Sequence, residues 1–558
     1  MRLDPSARIL FAALAALAFM AVKASDRDMA KAAGAISESA YREQIATLSG
    51  DEFAGRSPGT AGEQKTVEYL EEQFLEMGMQ PVAGGSFRQD VALVEITASG
   101  QRLSFNKGGG SVALASGDDM VLGTRRVRDE SSIADSEVVF VGYGIVAPEY
   151  GWNDYAGLDM RGKTALILVN DPGFVTGDET LFRGKAMTYH GRWTYKYEEA
   201  ARQGAAAAII VHDTAPASYD WGVVQNGWTG PQFYADRAGG NADRSALEGW
   251  ITLERARQVL ELAGQDFDKL RGAAVERGFR PVPLGITATG GVRNTIRRMR
   301  SPNVVGVMPG KDRPDEYVIY VAHWDHLGVA EEQAEDRIYN GAVDNATGIA
   351  GILTIARGFR DLLPGASRSV MYIAVTAEEA GLIGSEFYTE NPLVPLEKTA
   401  AVINIDALYP MGRAKDVEVI GYGASELEGM LAAVARKQGR TLTPDRKPEA
   451  GYFYRSDHFN FAKAGVPALY IKSGAVLRDS GEDAGVAWQA KYVAERYHKP
   501  SDDYDESWNV TGSIEDLKLL FEVGARVANS ETWPEWNEGN EFRAARDKSA
   551  AARAPAEE

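Results

Sequence analysis

Apolar runs alternate with helical stretches from residue 303 to about 528, and this alternation constrains the fold more than any other feature of the chain. Three of the runs are YVIYVA (317–322), VMYIAV (370–375) and AAVINI (400–405). Strands that alternate with helices usually pair in parallel, because each helix carries the chain back to the same end of the sheet. The sequence therefore predicts an α/β fold with a mixed, mostly parallel sheet and helices on both faces.

A second region of the chain has strands of its own. The stretches SEVVFVGYGIVA (136–147), KTALILVN (163–170) and GAAAAIIVHD (204–213) are apolar enough to predict strands. The chain has 558 residues, more than one hydrophobic core usually organises, so two domains are expected. The basic stretch RNTIRRMRSPN (293–303) is predicted to be a loop-like connector. The predicted domains are the first part of a main domain at 25–110, an insert at 111–290, the rest of the main domain at 291–530 and a disordered tail at 531–558.

The N-terminus predicts a secretory signal peptide at 1–24. Arg2 and Arg8 precede the uncharged run ILFAALAALAFMAV (9–22), and the small residues at 22 and 24 fit a cleavage site. A membrane span needs about 20 apolar residues. We therefore expect an exported protein, periplasmic or secreted, with no stable membrane span after cleavage; an uncleaved anchor is the alternative.

Charge and composition exclude some partners and some chemistry. The formal net charge of −19 repels phosphate backbones and argues against nucleic acid as a substrate. The absence of cysteine excludes disulfides, thiolate metal ligands and a cysteine nucleophile. Any metal must therefore be held by His, Asp and Glu.

Polar side chains follow the three predicted strands closely. His323 ends the first strand, Glu378 and Glu379 come just after the second, and Asp406 follows the third. Ligands of open α/β sheets bind at the carboxyl ends of the strands, so these side chains are expected to lie together. Asp344, in GAVDNATG (341–348), precedes a predicted helix and would lie beside the same edge.

Each of these residues also fits an ordinary role when taken alone. Asp344 fits a helix cap, the glutamate pair a solvated surface, and His323 a hydrogen-bonded loop histidine. Together they favour zinc, which takes imidazole nitrogen and carboxylate oxygen where thiolates are absent. Asp344, Glu379 and Asp406 supply three negative charges, which with one bridging hydroxide balance two divalent cations.

The residues alone leave two questions open. Asp325 fits either an acceptor for the second N–H of the His323 ring or a turn residue, and His326 is equally ambiguous. A second imidazole ligand could be His458 or His498, and spacing does not choose between them.

Six motifs, in this order and spacing, closely resemble those of metallopeptidase family 28, which includes di-zinc aminopeptidases, glutamate carboxypeptidases and transferrin receptors. The resemblance covers about 40–110 and 290–528 and implies a zinc-exopeptidase fold of the phosphorylase/hydrolase-like type. The stretch from 141 to 171, with AARQGAAAAIIVHD (200–213), resembles an inserted protease-associated domain. The six motifs are HWDHLG (323–328), GAVDNATG (341–348), TAEEAGLIGS (376–385), NIDALY (404–409), YRSDHFNF (454–461) and YHKPSDDY (497–504).

The resemblance also implies roles for particular residues. In the reaction expected of such a site, Glu378 would be the catalytic base and the Tyr497 hydroxyl would help to hold the oxyanion. Asp325, two residues beyond His323, could support the His323 ring. His458 would lie near the site without binding metal. Two Zn²⁺ per chain would be held, with Asp344 as the bridge, by His323, Asp344, Glu379, Asp406 and His498.

The implied activity is that of a zinc-dependent exopeptidase on peptide substrates, with an aminopeptidase first because such members are common in the family. The alternatives on the same fold are a carboxypeptidase or dipeptidase, a glutaminyl-cyclase-like acyltransferase with one zinc, and an inactive receptor-like binding protein. Arg455 could bind a free α-carboxylate or form a structural ion pair. Tyr452, Phe453 and Phe459 could line an apolar substrate pocket or belong to the core. The oligomeric state is not predicted.

Overall fold

The computed structural model describes residues 27–82, 84–330, 336–362 and 366–553. The predicted signal peptide at 1–24 lies outside the described residues. The chain divides into two compact units. The first unit comprises the residues up to Asp90, Pro302–Asp445 and the residues from Ser456 onward; the second comprises Val91–Ser301 and Arg446–Arg455.

The first unit is built on one mixed sheet. The strand Arg313–His323 runs parallel to both of its neighbours, Arg368–Val375 and Thr399–Asn404. The predicted mixed, mostly parallel sheet is therefore confirmed. In spatial order the strands are Thr441–Pro444, Asp416–Ile420, Ala468–Ser473, Thr399–Asn404, Arg313–His323, Arg368–Val375 and the part of Val282–Met308 from Pro302 onward, to which Gln80–Pro81 is paired; Gly328–Val329 and Ile338–Tyr339 form a separate hairpin.

Helices cover both faces of this sheet. Tyr320 and Tyr372 stack on one face, where Tyr320 also packs against Phe359. Met371 points to the opposite face, because alternate strand residues do, and there it accepts a hydrogen bond from Tyr388. The α-helices of the unit whose bounds lie within the described residues are Glu38–Leu48, Ala61–Glu76, Thr347–Leu362, Ile383–Glu390, Leu427–Lys437, His458–Lys463, Gly481–Glu495, Thr511–Asn529 and Arg543–Arg553.

The C-terminal segment corrects one prediction. Residues 531–553, expected to be disordered, include the helix Arg543–Arg553 and pack against the rest of the first unit. Trp536 is fully buried and donates its indole N–H to the Gly465 carbonyl. Arg546 is also fully buried and donates to the Thr399 carbonyl. Nothing in the sequence indicated that Trp536 and Arg546 are buried, because neither residue belongs to a periodic apolar pattern.

The second unit has an α/β arrangement of its own, in which Thr164–Leu168 runs parallel to Glu130–Phe140 and Ala207–His212. Its other strands are Arg88–Lys107 from Val91 onward, Gly110–Leu114, Met120–Gly123, Val146–Ala147, Trp152–Asn153, Pro231–Ala235, Leu247–Thr252 and the first part of Val282–Met308. Its helices are Pro172–Thr176, Trp193–Arg202, Thr214–Ala217, Trp221–Gly227, Leu253–Ala263 and Phe267–Ala274.

The second unit differs from the predicted insert at both ends. Residues 91–110 belong to it because Arg88–Lys107 pairs with Pro231–Ala235. The stretch 293–303 is part of the strand Val282–Met308 and not a loop-like connector, so that prediction is wrong. The distant segment Arg446–Arg455 also joins this unit, where Pro448 accepts a hydrogen bond from the Met187 amide.

No helix in the described part of the chain combines the length and the apolar character needed to cross a bilayer.

Candidate metal centre

Three loops at the carboxyl ends of neighbouring parallel strands bring side chains to one edge of the first unit's sheet. His323 is the last residue of its strand and is almost fully buried. Ala377, with φ +52°, turns the chain after the next strand and leads to Glu378 and Glu379. Asp406 follows the third strand, and Ala407 next to it also has a positive φ. The strand-end placement expected from the sequence is therefore present.

Asp344 lies in an irregular turn that precedes the helix Thr347–Leu362. The Asp502 carboxylate accepts the amide N–H groups of both Val343 and Asp344. Asn345, whose peptide bond to Asp344 is cis, donates its side-chain amide to the Ile405 carbonyl. The turn is thus fixed both to the segment that contains Asp502 and to the loop that carries Asp406.

The two oxygens of the Asp344 carboxylate face two different imidazoles. Asp344 Oδ1 lies 3.3 Å from His323 Nε2, and Asp344 Oδ2 lies 3.3 Å from His498 Nε2. On the first side, Asp406 Oδ1 lies 3.6 Å from His323 Nε2. On the second side, Glu379 Oε2 lies 3.0 Å from His498 Nε2. The five residues that the family resemblance implied as ligands thus form two groups that share Asp344.

The protonation of these groups shows how strongly negative the site is. Burial disfavours a charged His323, yet Glu378, Asp344 and Asp406 hold the pKa of its ring well above the ordinary value. Burial acts in the same direction on His498, but Glu379 and Asp344 raise its pKa to about 10. The clustered carboxylates therefore require positive charge among them.

The residues at the site fit zinc. Imidazole nitrogen and carboxylate oxygen are ligands that zinc takes, and His323 Nε2 and His326 Nε2 are buried atoms without a hydrogen-bond partner among the described residues. Ligand atoms lie close enough together for one ion in each of three groups of residues. These groups are His323 with Asp344 and Asp406, His326 with Asp344 and Glu379, and His323 with Glu378 and Glu379.

Glu378 faces the site differently from its neighbour. Its nearest imidazole contact is long, 3.9 Å from Oε2 to His323 Nε2. Burial, together with the negative charges of Glu379, Asp406 and Asp457, raises the pKa of Glu378 well above the ordinary value, although His323 opposes this shift. The pKa of Glu379 is instead lowered to about 2, because His498 and His326 outweigh the effects of burial and of Asp344. Glu378 therefore binds a proton more tightly than an ordinary glutamate does, and Glu379 binds one more weakly.

The predicted role of Asp325 needs a correction. The Nδ1 atom of His323 lies 3.1 Å from the backbone carbonyl of Asp325 but 3.8 Å from its carboxylate, which is too long for a hydrogen bond. The carboxylate instead accepts the amide N–H groups of Glu378, at 3.0 Å, and Glu379, at 3.4 Å. Two backbone donors in fixed positions thus hold the carboxylate away from the ring, and Asp325 supports the glutamate turn.

Two supporting residues were not assigned from the sequence. His326 Nδ1 lies 2.5 Å from Glu379 Oε1, so this second histidine of HWDHLG orients a candidate ligand. The Ser456 hydroxyl donates to Asp406 Oδ2 at 2.6 Å and accepts a hydrogen bond from Asn404. Both residues belong to motifs that the resemblance covers, but short motifs do not show which partner each side chain takes.

The remaining predicted site residues have different surroundings. The Tyr497 ring stacks on His498 with centroids 3.9 Å apart, and the role of its hydroxyl stays a prediction. His458 packs beside Tyr470 and belongs to none of the candidate ligand groups in the described part of the chain. Phe459 is buried and packs on Phe542, as the alternative role of a core residue requires, and its contact with substrate stays a prediction.

The other three candidate substrate contacts, Tyr452, Phe453 and Arg455, belong to the second unit. Phe453 is buried there and packs on Tyr454, whereas Arg455 is exposed with its guanidinium over the Tyr452 ring. Their contact with substrate stays a prediction.

Comparison with known proteins identifies the stretch that contains this site. Residues 303–521 match the model of peptidase family M28. This stretch belongs to that family. The five ligand candidates and Glu378 all lie inside this stretch.

Individual relatives cover only parts of the chain. Aminopeptidase NAALADL1 from Mus musculus is 37% identical over 137 residues, which are 23% of this chain and 17% of the mouse protein. A probable zinc metalloprotease from Pyricularia oryzae is 29% identical over 295 residues, 49% of this chain and 57% of the fungal protein. The chain thus spans less than two thirds of the length of these relatives. An aminopeptidase structure from Aneurinibacillus sp. strain AM-1 aligns over 91% of this chain and 96% of its own, with 21% identity and a TM-score of 0.47.

Proposed function

We propose that this protein is a zinc-dependent exopeptidase that holds two zinc ions and releases N-terminal residues from peptides. The observation that carries the proposal is the division of the Asp344 carboxylate between His323 and His498, each of which has a further carboxylate beside it. One bridging carboxylate between two imidazole and carboxylate pairs suits two cations better than one.

The ligand set leaves Glu378 free for proton transfer. When bound, zinc would supply Lewis acidity, which polarises a peptide carbonyl and lowers the pKa of water. The Glu378 carboxylate would accept a proton from the attacking water and deliver it to the leaving amine nitrogen. Its raised pKa supports this role, because a base needs appreciable proton affinity near the working pH.

Two supporting residues would keep the base separate from the ligands. Asp325 holds the amides of both glutamates, so that their side chains leave the turn from fixed positions. His326 holds Glu379 and thereby favours its ionised form. Adjacent residues can thus perform different tasks, Glu379 binding metal and Glu378 moving protons.

The choice of the N-terminal end rests on the names of relatives such as the mouse aminopeptidase and not on a recognised amine site. A charged α-amine would be attracted by the same excess of carboxylates. Export also belongs to the proposal, on the strength of the signal-like segment at 1–24.

Two measurements test this function. Elemental analysis of the purified protein should find two zinc ions per chain, and hydrolysis should be faster for aminoacyl-anilides than for N-blocked dipeptides. The reverse preference would make the protein a carboxypeptidase. Two zincs without activity on either substrate would favour a binding protein, and absence of zinc would refute the proposal.

A further inference from the structure

Arg56 lies in the sequence stretch LSGDEFAGRSPGTAG, which contributes no side chain to the candidate ligand groups of the described residues. Its guanidinium is almost fully buried, with 1% of the residue exposed. Burying a charge is unfavourable unless the charge is paired or fully hydrogen-bonded. The surroundings of this one side chain therefore need an explanation.

Among the described residues of the first unit, four arginines are almost fully buried, and Arg56 differs from the other three. Arg368, Arg440 and Arg546 each lie within 4 Å of a carboxylate, on Glu316, Asp516 and Glu535 respectively. Among the described residues, no carboxylate lies within that distance of Arg56. Its guanidinium donates instead to main-chain carbonyls, namely those of Trp324, Leu48, Asn340 and Gly341.

These carbonyls belong to the segments that carry the metal centre. Trp324 follows His323 directly, and Arg56 Nε donates to its carbonyl at 2.9 Å. Asn340 and Gly341 begin the turn that leads to Asp344, and the two Nη atoms donate to them at 2.7 and 2.9 Å. The Arg56 guanidinium thus connects the backbone just after His323 to the backbone just before Asp344.

The chain around Arg56 is shaped to bring it there. Ala54, Gly55 and Arg56 all have positive φ, which makes a tight turn. A Cβ atom on Gly55 would lie 2.4 Å from the Gly328 carbonyl oxygen and 2.7 Å from that of Tyr339, so only glycine fits against this hairpin. The Leu48 carbonyl, at the end of the helix Glu38–Leu48, anchors the guanidinium from the other side.

We propose that Arg56 is a positioning residue of the metal centre, which sets the distance between His323 and Asp344 by cross-linking their backbones. This inference rests on the proposed zinc site. Lysine cannot replace it, because a single ammonium does not span four carbonyls as a planar guanidinium does. If Arg56 acted only by supplying a positive charge near the site, lysine would replace it without loss of zinc affinity.

The two explanations predict different zinc affinities. If Arg56 positions the ligands, Arg56→Lys and Arg56→Gln should both weaken zinc binding, by about 10- to 100-fold, as loss of a supporting contact typically does. If Arg56 only balances charge, Arg56→Lys should bind zinc like the wild type, and Arg56→Gln should bind it more tightly. Competition with a chelator on the full chain measures both, without reference to activity.

Arg546→Lys is the matched control. Arg546 is equally buried and donates to the Thr399, Ala400 and Pro534 carbonyls; the first two lie at the start of the strand Thr399–Asn404, at the end away from Asp406. This variant should lose stability but keep wild-type zinc affinity. Equal losses of zinc affinity in Arg546→Lys and Arg56→Lys would overturn the proposal, because the effect would then be general destabilisation.

Hydrogen exchange of the metal-free protein supplies a second measurement. In Arg56→Lys, exchange should accelerate at 324–326 and 340–344 and stay unchanged in the helix Thr511–Asn529. Unchanged zinc affinity and exchange in Arg56→Lys would overturn the inference alone. Failure of that variant to fold, while Arg546→Lys folds, would also overturn it by making Arg56 a residue of the fold. Absence of zinc from the wild type would instead refute the proposed function.

Discussion

Histidines in the two units have different surroundings. In the second unit, His190 contacts the Glu149 carboxylate and His212 hydrogen-bonds to the Tyr219 carbonyl. In the first unit, His323 Nε2 and His498 Nε2 each lie within 4 Å of at least two carboxylates from different loops. The candidate ligand groups found in the described residues all lie in the first unit. The candidate metal centre is thus distinguished by several loops that bring carboxylates to the same imidazoles. A buried histidine or a buried charge alone does not distinguish it.

The second unit also contains buried charge. Lys196 is fully buried, and burial lowers its pKa to about 7, while Asp171 and Asp154 partly offset that shift. Its ammonium donates to the His190 carbonyl. Asp171 caps the helix Pro172–Thr176. These groups have structural partners of their own, so burial alone does not make them a second centre.

The largest expected effect comes from removing the shared carboxylate. Asp344→Ala should abolish activity and remove zinc from both positions, because one bridging ligand serves the two. Elemental analysis after dialysis measures the loss. Asp171→Asn, at a buried carboxylate of the second unit, is the control and should keep its zinc. Retention of one full zinc equivalent in Asp344→Ala would contradict the bridge.

Glu378→Gln should lower kcat by about 10²- to 10⁴-fold, the usual contribution of a general acid or base. Zinc content should stay at the wild-type level, because Glu379 and not Glu378 contacts His498. Steady-state kinetics with zinc analysis of the same sample measures both. Near-normal turnover, or loss of zinc, would show that the two glutamates have been assigned the wrong way round.

Zinc affinity should rise with pH. In the metal-free centre the pKa of His498 is raised to about 10 and that of His323 lies well above its ordinary value, so both rings hold protons at neutral pH. Zinc binds the neutral ring, so binding releases about two protons and the affinity should increase by up to about 100-fold per pH unit near neutrality. Calorimetry in buffers of different ionisation enthalpy counts these protons; a binding heat independent of buffer would contradict the prediction.

Ser456→Ala should weaken zinc binding by about 10-fold, at the lower end of the effect of a supporting hydrogen bond to a ligand. The hydroxyl holds Asp406 Oδ2, and its loss leaves that carboxylate less well oriented. Chelator competition measures the change. Ser132→Ala, at an exposed serine of the second unit, is the control and should bind zinc like the wild type.

The smallest effect is expected at His212. His212→Gln should cost about 1 kcal/mol of unfolding free energy through loss of the bond to Tyr219, with zinc content and activity unchanged. Burial lowers the pKa of His212, so the ring is neutral in the folded protein and must gain a proton in acid. Wild-type stability should therefore fall as pH decreases below about 6.5, and the variant should lose less. A loss of zinc in this variant would break the comparison between the units.

Much of the candidate site was predictable because most of its ligand residues come directly after apolar runs that predict strands. Apolar runs predicted the strands, and the parallel arrangement placed His323, Glu379 and Asp406 at one edge. His498 was different, since only the family resemblance selected it over His458. It follows the helix Gly481–Glu495, which buries few residues, so no periodic pattern pointed to its position.

The amino-acid sequence by itself determined the strand order along the chain, the ligand types available without cysteine and the motifs of family M28. Only the tertiary structure decided that the two oxygens of Asp344 face different imidazoles, that the Asp325 carboxylate holds amides and not the ring, and that Arg56 joins two ligand segments. The periodic spacing of apolar residues shows which face of a single helix or strand is buried. The meeting of loops hundreds of residues apart depends on packing of the whole unit, which short-range pattern does not record.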